Sequence, residues 1–148
     1  MHHSSSEYIH RHLIQHLVEL EENRSCILKT FYSEETEEKN KAKQLIDRYI
    51  KELEALIQRN HQHNIDLSSA FPFVIIDCRL DLYDCQKNTL QTVRIISPFA
   101  DEVGRGDISF LSHLGRNILL KKEGDLVRII NEAGEVEFFE IKNLRYPA

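Results

Sequence analysis

Two hydrophobic rhythms divide this chain. From about Glu7 to His63 it contains neither Gly nor Pro, so nothing of that kind punctuates a helix. Apolar residues recur at Ile9, Leu13, Leu17, Leu20, Ile27 and Phe31, in steps of 4, 4, 3, 7 and 4. That is a coiled-coil rhythm with one position missing near Arg24. A second set runs through Ala42, Leu45, Tyr49, Leu53 and Leu56, widened by Ile46, Ile50 and Ile57. The spacing predicts one helix over about 7–31, a tight turn near Tyr32–Ser33 and a second helix over about 34–61. Ser33 is the expected N-cap, its hydroxyl accepting a free amide proton of the first turn. Glu34 and Glu35 then sit at the positive end of the helix dipole. Two stripes joined by so short a turn bury their apolar faces only by packing antiparallel. Each arm of about 26 residues is roughly 39 Å long at 1.5 Å per residue. The hairpin is thin, and its tip is largely exposed.

After His61-Gln-His-Asn and Ser68-Ser-Ala-Phe-Pro, read as a linker, the pattern changes. Val74 to Tyr83 alternates and reads as a strand, Gln86-Lys-Asn as a turn, and Leu90–Ser97 as the hairpin partner. Pro98 to Gly106 is a loop, followed by a short strand near Ile108. Ser112 is placed to cap a short helix reaching about Leu120, and Gly124-Asp125 turns the chain. Leu126–Asn131 and Glu135–Leu144 form a second hairpin around Glu132-Ala-Gly. The expected architecture is α+β. A helical hairpin over 1–66 precedes a unit over 67–148 of four or five antiparallel strands with one short helix. The core of the second unit is expected from Val74, Ile76, Leu80, Val93, Ile95, Leu114, Val127, Ile129, Val136, Phe138 and Ile141.

Composition narrows the function classes. No apolar run approaches the roughly 20 residues needed to span a bilayer, and Met1-His-His-Ser-Ser-Ser lacks the apolar segment of a signal peptide. Cys26, Cys78 and Cys85 are an odd number without metal-type spacing, so reduced thiols in a cytoplasmic protein are expected. A net charge of -5 provides no basic field to draw the chain onto free DNA. Contact with nucleic acid inside a larger complex stays open.

The densest chemistry is Ser33-Glu-Glu-Thr-Glu-Glu at the hairpin tip. Glu34 with Glu37, or Glu35 with Glu38, offers a carboxylate pair to Mg²⁺, which takes one or two carboxylates and fills its other positions from water and substrate. Equally, glutamates at a helix start complement the dipole, and Glu35–Lys39 and Glu37–Lys41 are favourable i,i+4 pairs. Lys39, Lys41 and Lys43 behind the tip suit phosphate contacts or a solvated face balancing the glutamates. His12 and His16 share a helix face but have no Cys or acidic partner to complete a metal site. His61 and His63 fall in the polar linker. Cys78 and Cys85 have no neighbour to lower their pKa and read as inert. Phe31 and Tyr32 are expected to close the hairpin core.

Three segments of the second half carry a family resemblance. Ser112-His-Leu-Gly-Arg116, Lys122-Glu-Gly-Asp125 and Gly134-Glu-Val-Glu-Phe138 resemble the C-terminal domain of the Gre transcript-cleavage factors, GreA and GreB. The likeness spans about Phe73 to Tyr146, with His113 where the family typically has proline. Ile50-Lys-Glu-Leu-Glu-Ala looks like the base of the family's second helical arm. The resemblance implies an FKBP-like domain docking on the rim of the secondary channel of bacterial RNA polymerase, with Ser112, His113, Arg116 and Asp125 as docking candidates. It implies a hairpin that probes toward the active site, where Glu34, Glu35, Glu37 and Glu38 would share the polymerase's Mg²⁺. Lys39, Lys41 and Lys43 would meet nascent RNA only within the elongation complex.

The family's tip typically carries an Asp and a Glu in a Gly-Asp-Leu-x-Glu-Asn-type segment. Here there is neither Gly-Asp nor Glu-Asn-Ala, a departure shared in kind with the non-cleaving Rnk-like and anti-Gre relatives. The expectation is a cytoplasmic, monomeric transcription elongation regulator, not itself an enzyme, with no intrinsic cofactor and no membrane association. Two alternatives remain. One is a factor stimulating cleavage of backtracked transcripts through the acidic tip. The other is a coiled-coil interaction module unrelated to transcription.

Overall fold

The structure is a computed structural model that describes residues 2–63, 71–100 and 103–146. It divides into two compact units, Met1–Ser68 and Ser69–Ala148.

The first unit is a helical hairpin of α1 (His2–Phe31) and α2 (Glu37–His63). Their antiparallel register is written in three side-chain pairs. Arg24 meets Asp47, His16 meets Tyr49, and His10 meets Asn60, so the partner number rises as the α1 number falls. The buried seam is Ile9, Leu13, Leu20, Ile27 and Leu28 against Ala42, Ile46, Tyr49, Leu53 and Leu56. Leu17, Leu45, Ile50 and Ile57 flank it half-buried. Phe31, expected in the seam, is 43% exposed, and Leu28 fills the place instead. The position missing from the apolar repeat is Arg24. Its guanidinium forks onto the Asp47 carboxylate, with Nε 2.6 Å from Oδ1 and Nη2 3.0 Å from Oδ2. A bidentate pair at the edge of the seam fixes the register where no apolar contact does.

Both helices extend past their expected ends. The polar run His61-Gln-His63 is helical, not linker, because polarity without Gly or Pro does not break a helix. The second helix begins at Glu37 rather than near 34, and its cap is Thr36, not Ser33. Thr36 Oγ1 accepts the Lys39 amide at 3.2 Å, and the Thr36 carbonyl accepts the Asn40 amide at 3.1 Å. Threonine is a somewhat weaker cap than serine, but starting at Thr36 gives the chain a five-residue connection, 32–36, in which to reverse.

The second unit contains β1 (Arg79–Asp84), β2 (Thr89–Ile96), β3 (Asp107–Ser109), α3 (His113–Ile118), β4 (Leu126–Ile130) and β5 (Val136–Arg145). They form one sheet in the order β3-β2-β1-β5-β4. The sheet is mixed, not wholly antiparallel, since β3 pairs parallel to β2 through Arg94–Asp107, Ile95–Ile108 and Ile96–Ser109. The loop from Ser97 to Gly106 carries the chain back, so the third strand runs in the direction of the second. The first strand also starts later than its apolar pattern suggests. Asp77 has φ 75°, and Val74, Ile75 and Ile76 are buried consecutively without alternation. Their segment pairs instead with the end of α3, Val74 N donating to Lys121 O and Leu120 N to Val74 O, both at 2.8 Å.

The core of this unit contains Val74, Ile76, Leu80, Val93, Ile95, Val127, Ile129 and Ile141 as expected, and also Phe71, Phe73, Ile75, Leu82, Phe110, Ile118 and Leu144. Leu114 and Val136 are only half-buried, and Phe138 is 38% exposed. Phe138 stands across from Arg128 on the outer face of the terminal hairpin. Cys78 is fully buried, and burial pushes its thiol up to about 12, so this thiol is inert as read.

Two carboxylates hold the sheet. Asp81, 6% exposed on the central strand, accepts from Thr92 Oγ1 and Asn143 Nδ2, each at 2.7 Å, with Arg145 3.8 Å away. Burial disfavours its ionised form, but those donors and the Arg145 charge outweigh it and hold the carboxyl below its ordinary 3.8. Asp107 is held low chiefly by the Arg94 fork (3.1 and 2.8 Å), then by the Gly104 amide at 2.7 Å, against a smaller burial penalty. A carboxylate depressed by folding stabilises the fold above its ordinary pKa, and that contribution vanishes as pH falls through the folded value. We expect chemical-denaturation stability to be flat from neutrality to about pH 5 and to fall below about pH 4. Asp81→Asn lowers stability at pH 7 by about 1–3 kcal/mol, and its gap from the parent narrows below pH 3.8. A gap constant across the titration would remove Asp81 from this account.

Candidate docking and tip sites

The four tip glutamates are close together and exposed, but they are not equivalent. Glu35 and Glu34 lie in the connection between helices, while Glu37 and Glu38 occupy the first turn of α2. Lys39 Nζ sits 2.7 Å from Glu35 Oε1, and the Lys39 side chain is only 16% exposed. The hydrogen bond and charge of Lys39 hold Glu35 below its ordinary pKa, with a smaller contribution from Lys43. Lys41 Nζ is 3.8 Å from Glu38 Oε1, not paired with Glu37 as the i,i+4 spacing suggested. The lysines thus engage Glu35 and Glu38. Of the basic candidates, Lys39 is folded onto the tip, whereas Lys41 and Lys43 remain exposed.

The histidines divide likewise. His16 points into the hairpin, its Nε2 2.8 Å from the hydroxyl of Tyr49, which is 1% exposed. His12 lies against Tyr8, with ring centroids 5.4 Å apart and the rings tilted by 33°. His10 Nδ1 lies 3.0 Å from the buried Asn60 amide, and its ring stacks 6.0 Å from His61. These are packing and hydrogen-bonding roles. Among the described residues no group of three or more His, Cys, Asp or Glu side chains converges as metal ligands. The side chain of His63 lies outside those described.

In the second unit, three of the four docking candidates lie on or beside α3. Ser112 is its N-cap: the hydroxyl accepts the Gly115 amide at 3.0 Å and donates to the Ser109 carbonyl at 2.7 Å. That hydroxyl is occupied by the fold. His113, the next residue, is exposed, and Arg116 is half-buried. Asp125 stands in the turn before β4, its Oδ2 accepting the Lys122 amide at 2.8 Å. Gly124 takes φ 93° there and donates to the Ile141 carbonyl at 2.7 Å, while Glu123 accepts the Leu144 amide at 2.9 Å. So Ser112 and Asp125 shape their loops, and His113 is the candidate whose side chain faces outward without such a task.

Gly115 is a structural residue of this segment that composition alone did not single out. A Cβ placed on it would come within 2.0 Å of the Ser109 carbonyl oxygen and 3.0 Å of Phe110 Cα. The helix lies directly on the backbone leaving β3, and only glycine permits the approach.

A family model for the C-terminal domain of the transcription elongation factors GreA/GreB matches residues 69–146. The chain belongs to the GreA/GreB family. Among solved structures, it is similar to a GreA/GreB elongation factor from Nitrosomonas europaea at 18% identity. That match covers 55% of this chain and 69% of the other, with a TM-score of 0.46. It is also similar to Gfh1 of Thermus aquaticus at 19% identity, over 94% of this chain and 92% of that one, with a TM-score of 0.45. For Gfh1 of Thermus thermophilus the identity is 21%, the coverage 92% and 94%, and the TM-score 0.42. A search of the curated proteins finds no match. The GreA/GreB match covers the whole second unit apart from its last two residues, and so takes in Ser112, Gly115, Asp125 and the final hairpin.

The small residue in the GreA/GreB-like Ser-x-x-Gly-Arg segment therefore has a physical reason here. We expect Gly115→Ala to destabilise the second unit by about 2–4 kcal/mol, since backbone rather than a flexible side chain must move. The measurement is thermal or urea unfolding of the full chain, with Gly124→Ala as the comparison. A Cβ at Gly124 meets nothing within 4 Å and pays only for its positive φ, so it costs about 1 kcal/mol. Equal losses in the two variants would contradict the close-approach argument.

Proposed function

We propose that this chain regulates transcript elongation by binding bacterial RNA polymerase at its secondary channel. The second unit docks at the channel rim with the exposed His113 side of α3, and the hairpin reaches toward the catalytic centre. The reading rests on membership of the GreA/GreB family together with one feature of the first unit, an exposed tip bearing four glutamates within five positions. The chain acts as a single copy in the cytoplasm, with no chemistry of its own. No described helix is long and apolar enough to cross a membrane.

Between the two modes of action, occupancy of the channel without cleavage is favoured by the tip. Glu35 and Glu38 are engaged by Lys39 and Lys41, and the hairpin tip has no Gly-Asp step. One observation supports the second mode, stimulated cleavage. Glu34 and Glu37 are exposed and three positions apart, and among the described residues neither forms an ion pair with a lysine. Two such carboxylates suit a Mg²⁺ whose remaining ligands come from the polymerase and substrate. Lys41 and Lys43 would then lie near RNA phosphates.

A stalled, backtracked elongation complex separates the two. A channel occupant leaves release of 3′ fragments unaccelerated and slows the release driven by an added Gre factor, and excess factor restores it. A cleavage factor accelerates release, and Glu34→Ala/Glu37→Ala abolishes at least about tenfold of that acceleration, or roughly 1.4 kcal/mol. Glu35→Ala/Glu38→Ala retains most of it. No effect on either reaction, with no binding to polymerase, would overturn the proposal.

A further inference from the structure

The hairpin has an apolar strip that its own seam does not use. On α1, Ile14 and Val18 are 41% and 47% exposed. They stand one helical turn apart, so they form one patch, flanked by the half-buried Leu17. Isolated exposed apolar residues are ordinary, but this pair is bracketed by charge in a particular order. Arg11 lies one turn toward the N-terminus, and Glu21 and Glu22 one turn toward the C-terminus. All three are exposed and form no ion pair among the described residues.

That order is self-complementary. Two copies of α1 packed antiparallel about a two-fold axis at the level of residue 16 bring Ile14 of each against Val18 of the other. The same operation sets each Arg11 against Glu21 and Glu22 of the other copy. Apolar contact falls at the centre, and opposite charges meet at both ends. An isologous interface requires this of its surface: the same patch, matching itself under rotation. Parallel packing would instead lay Arg11 beside Arg11 and glutamate beside glutamate, which is repulsive.

We propose that the partner of this α1 face is a second copy of the chain, held in an antiparallel α1–α1 dimer. The contact spans about three helical turns, roughly 17 Å from Arg11 to Glu22. That is well below a standard stable interface, so the association is weak and reversible. The free protein pairs at high concentration and dissociates on dilution. Resting on the channel-binding reading, the dimer is the form in which the arm is too wide to enter, so the single copy is the active one.

The test needs no polymerase and therefore stands apart from that reading. Sedimentation velocity of the full chain over a concentration series should show the mass rising from 17.4 kDa toward twice that value. Arg11→Glu alone, and Glu21→Arg/Glu22→Arg alone, should each raise the concentration of half-association at least about tenfold. Mixing the two variants should restore association, because each then presents the complement of the other. Ile14→Glu/Val18→Glu should abolish it, with unchanged helical circular dichroism as the folding control. A mass fixed at 17.4 kDa throughout overturns the proposal. So does a dimer that survives both charge variants, which would place the interface elsewhere, as on the exposed Leu126–Ile130–Phe138 face of the terminal hairpin.

Discussion

The second unit depends on a backbone contact that a single methyl group would forbid. α3 packs against both β3 and β4, which are the two edges of the five-stranded sheet. One short helix therefore joins edges that the sheet itself leaves apart, and it does so by resting on the chain at Ser109–Phe110. Gly115 provides the clearance. Ser112 adds direction: by capping the helix and donating to the Ser109 carbonyl, its hydroxyl ties the first turn of α3 to the strand it leaves. At the other end, Leu120 takes φ 68° and the chain pairs with Val74. A six-residue helix is too short to be stable alone. Its position is dictated by these three fixings, and Ile118 and Leu119 are buried as a result.

The hairpin solves a different problem. Two helices bury one stripe each, so most of their surface stays in water, and an apolar seam alone tolerates sliding by a turn. Arg24–Asp47, His16–Tyr49 and His10–Asn60 do not add much burial, but each is satisfied in only one register. For the part-buried His16–Tyr49 and His10–Asn60 pairs, a polar group left without its partner costs more than the hydrogen bond gains. For Arg24–Asp47 at the edge, the selectivity comes from the two-point fork. The break in the heptad at Arg24 is thus the mark of a register-setting pair rather than a weakness in the coil.

This bears on what the sequence could reveal. The two stripes and the absence of Gly and Pro make the hairpin legible, because periodicity reports directly on which face is buried. The final hairpin is equally plain from Val127 and Ile129, one on each side of Arg128, before an Ala-Gly turn. The parallel β3 was not visible, since strand direction follows from how the 97–106 loop returns, and three residues carry no periodicity. Nor was the cap at Thr36. Ser33 and Thr36 offer the same hydroxyl chemistry, and only the span needed to reverse the chain decides between them. For the docking candidates, the sequence pointed to a segment but not to which of its side chains the fold itself uses. Ser112 and Asp125 are conspicuous as residue types because loops need them, which is why their oxygens are already bonded, while His113 stands out only as a departure from the family's proline, which says nothing of its exposure.

The same division applies at the tip, where charge count and available charge differ. Four carboxylates in water repel one another, and the fold relieves this with the start of α2 and with two lysines. Whatever a lysine or a dipole stabilises is less free for a cation, since a metal must displace that favourable interaction before it binds. Glu34, outside the helix and without an ion pair among the described residues, has least to give up, and Glu37, likewise without one there, has the dipole to offset. Two exposed carboxylates in high dielectric still bind Mg²⁺ weakly, because the ion gives up its water reluctantly and wants six ordered ligands. Any metal chemistry at this tip must therefore be completed by oxygen ligands from outside the chain. Two exposed carboxylates on a hairpin tip are a minority of the six ligands such an ion takes.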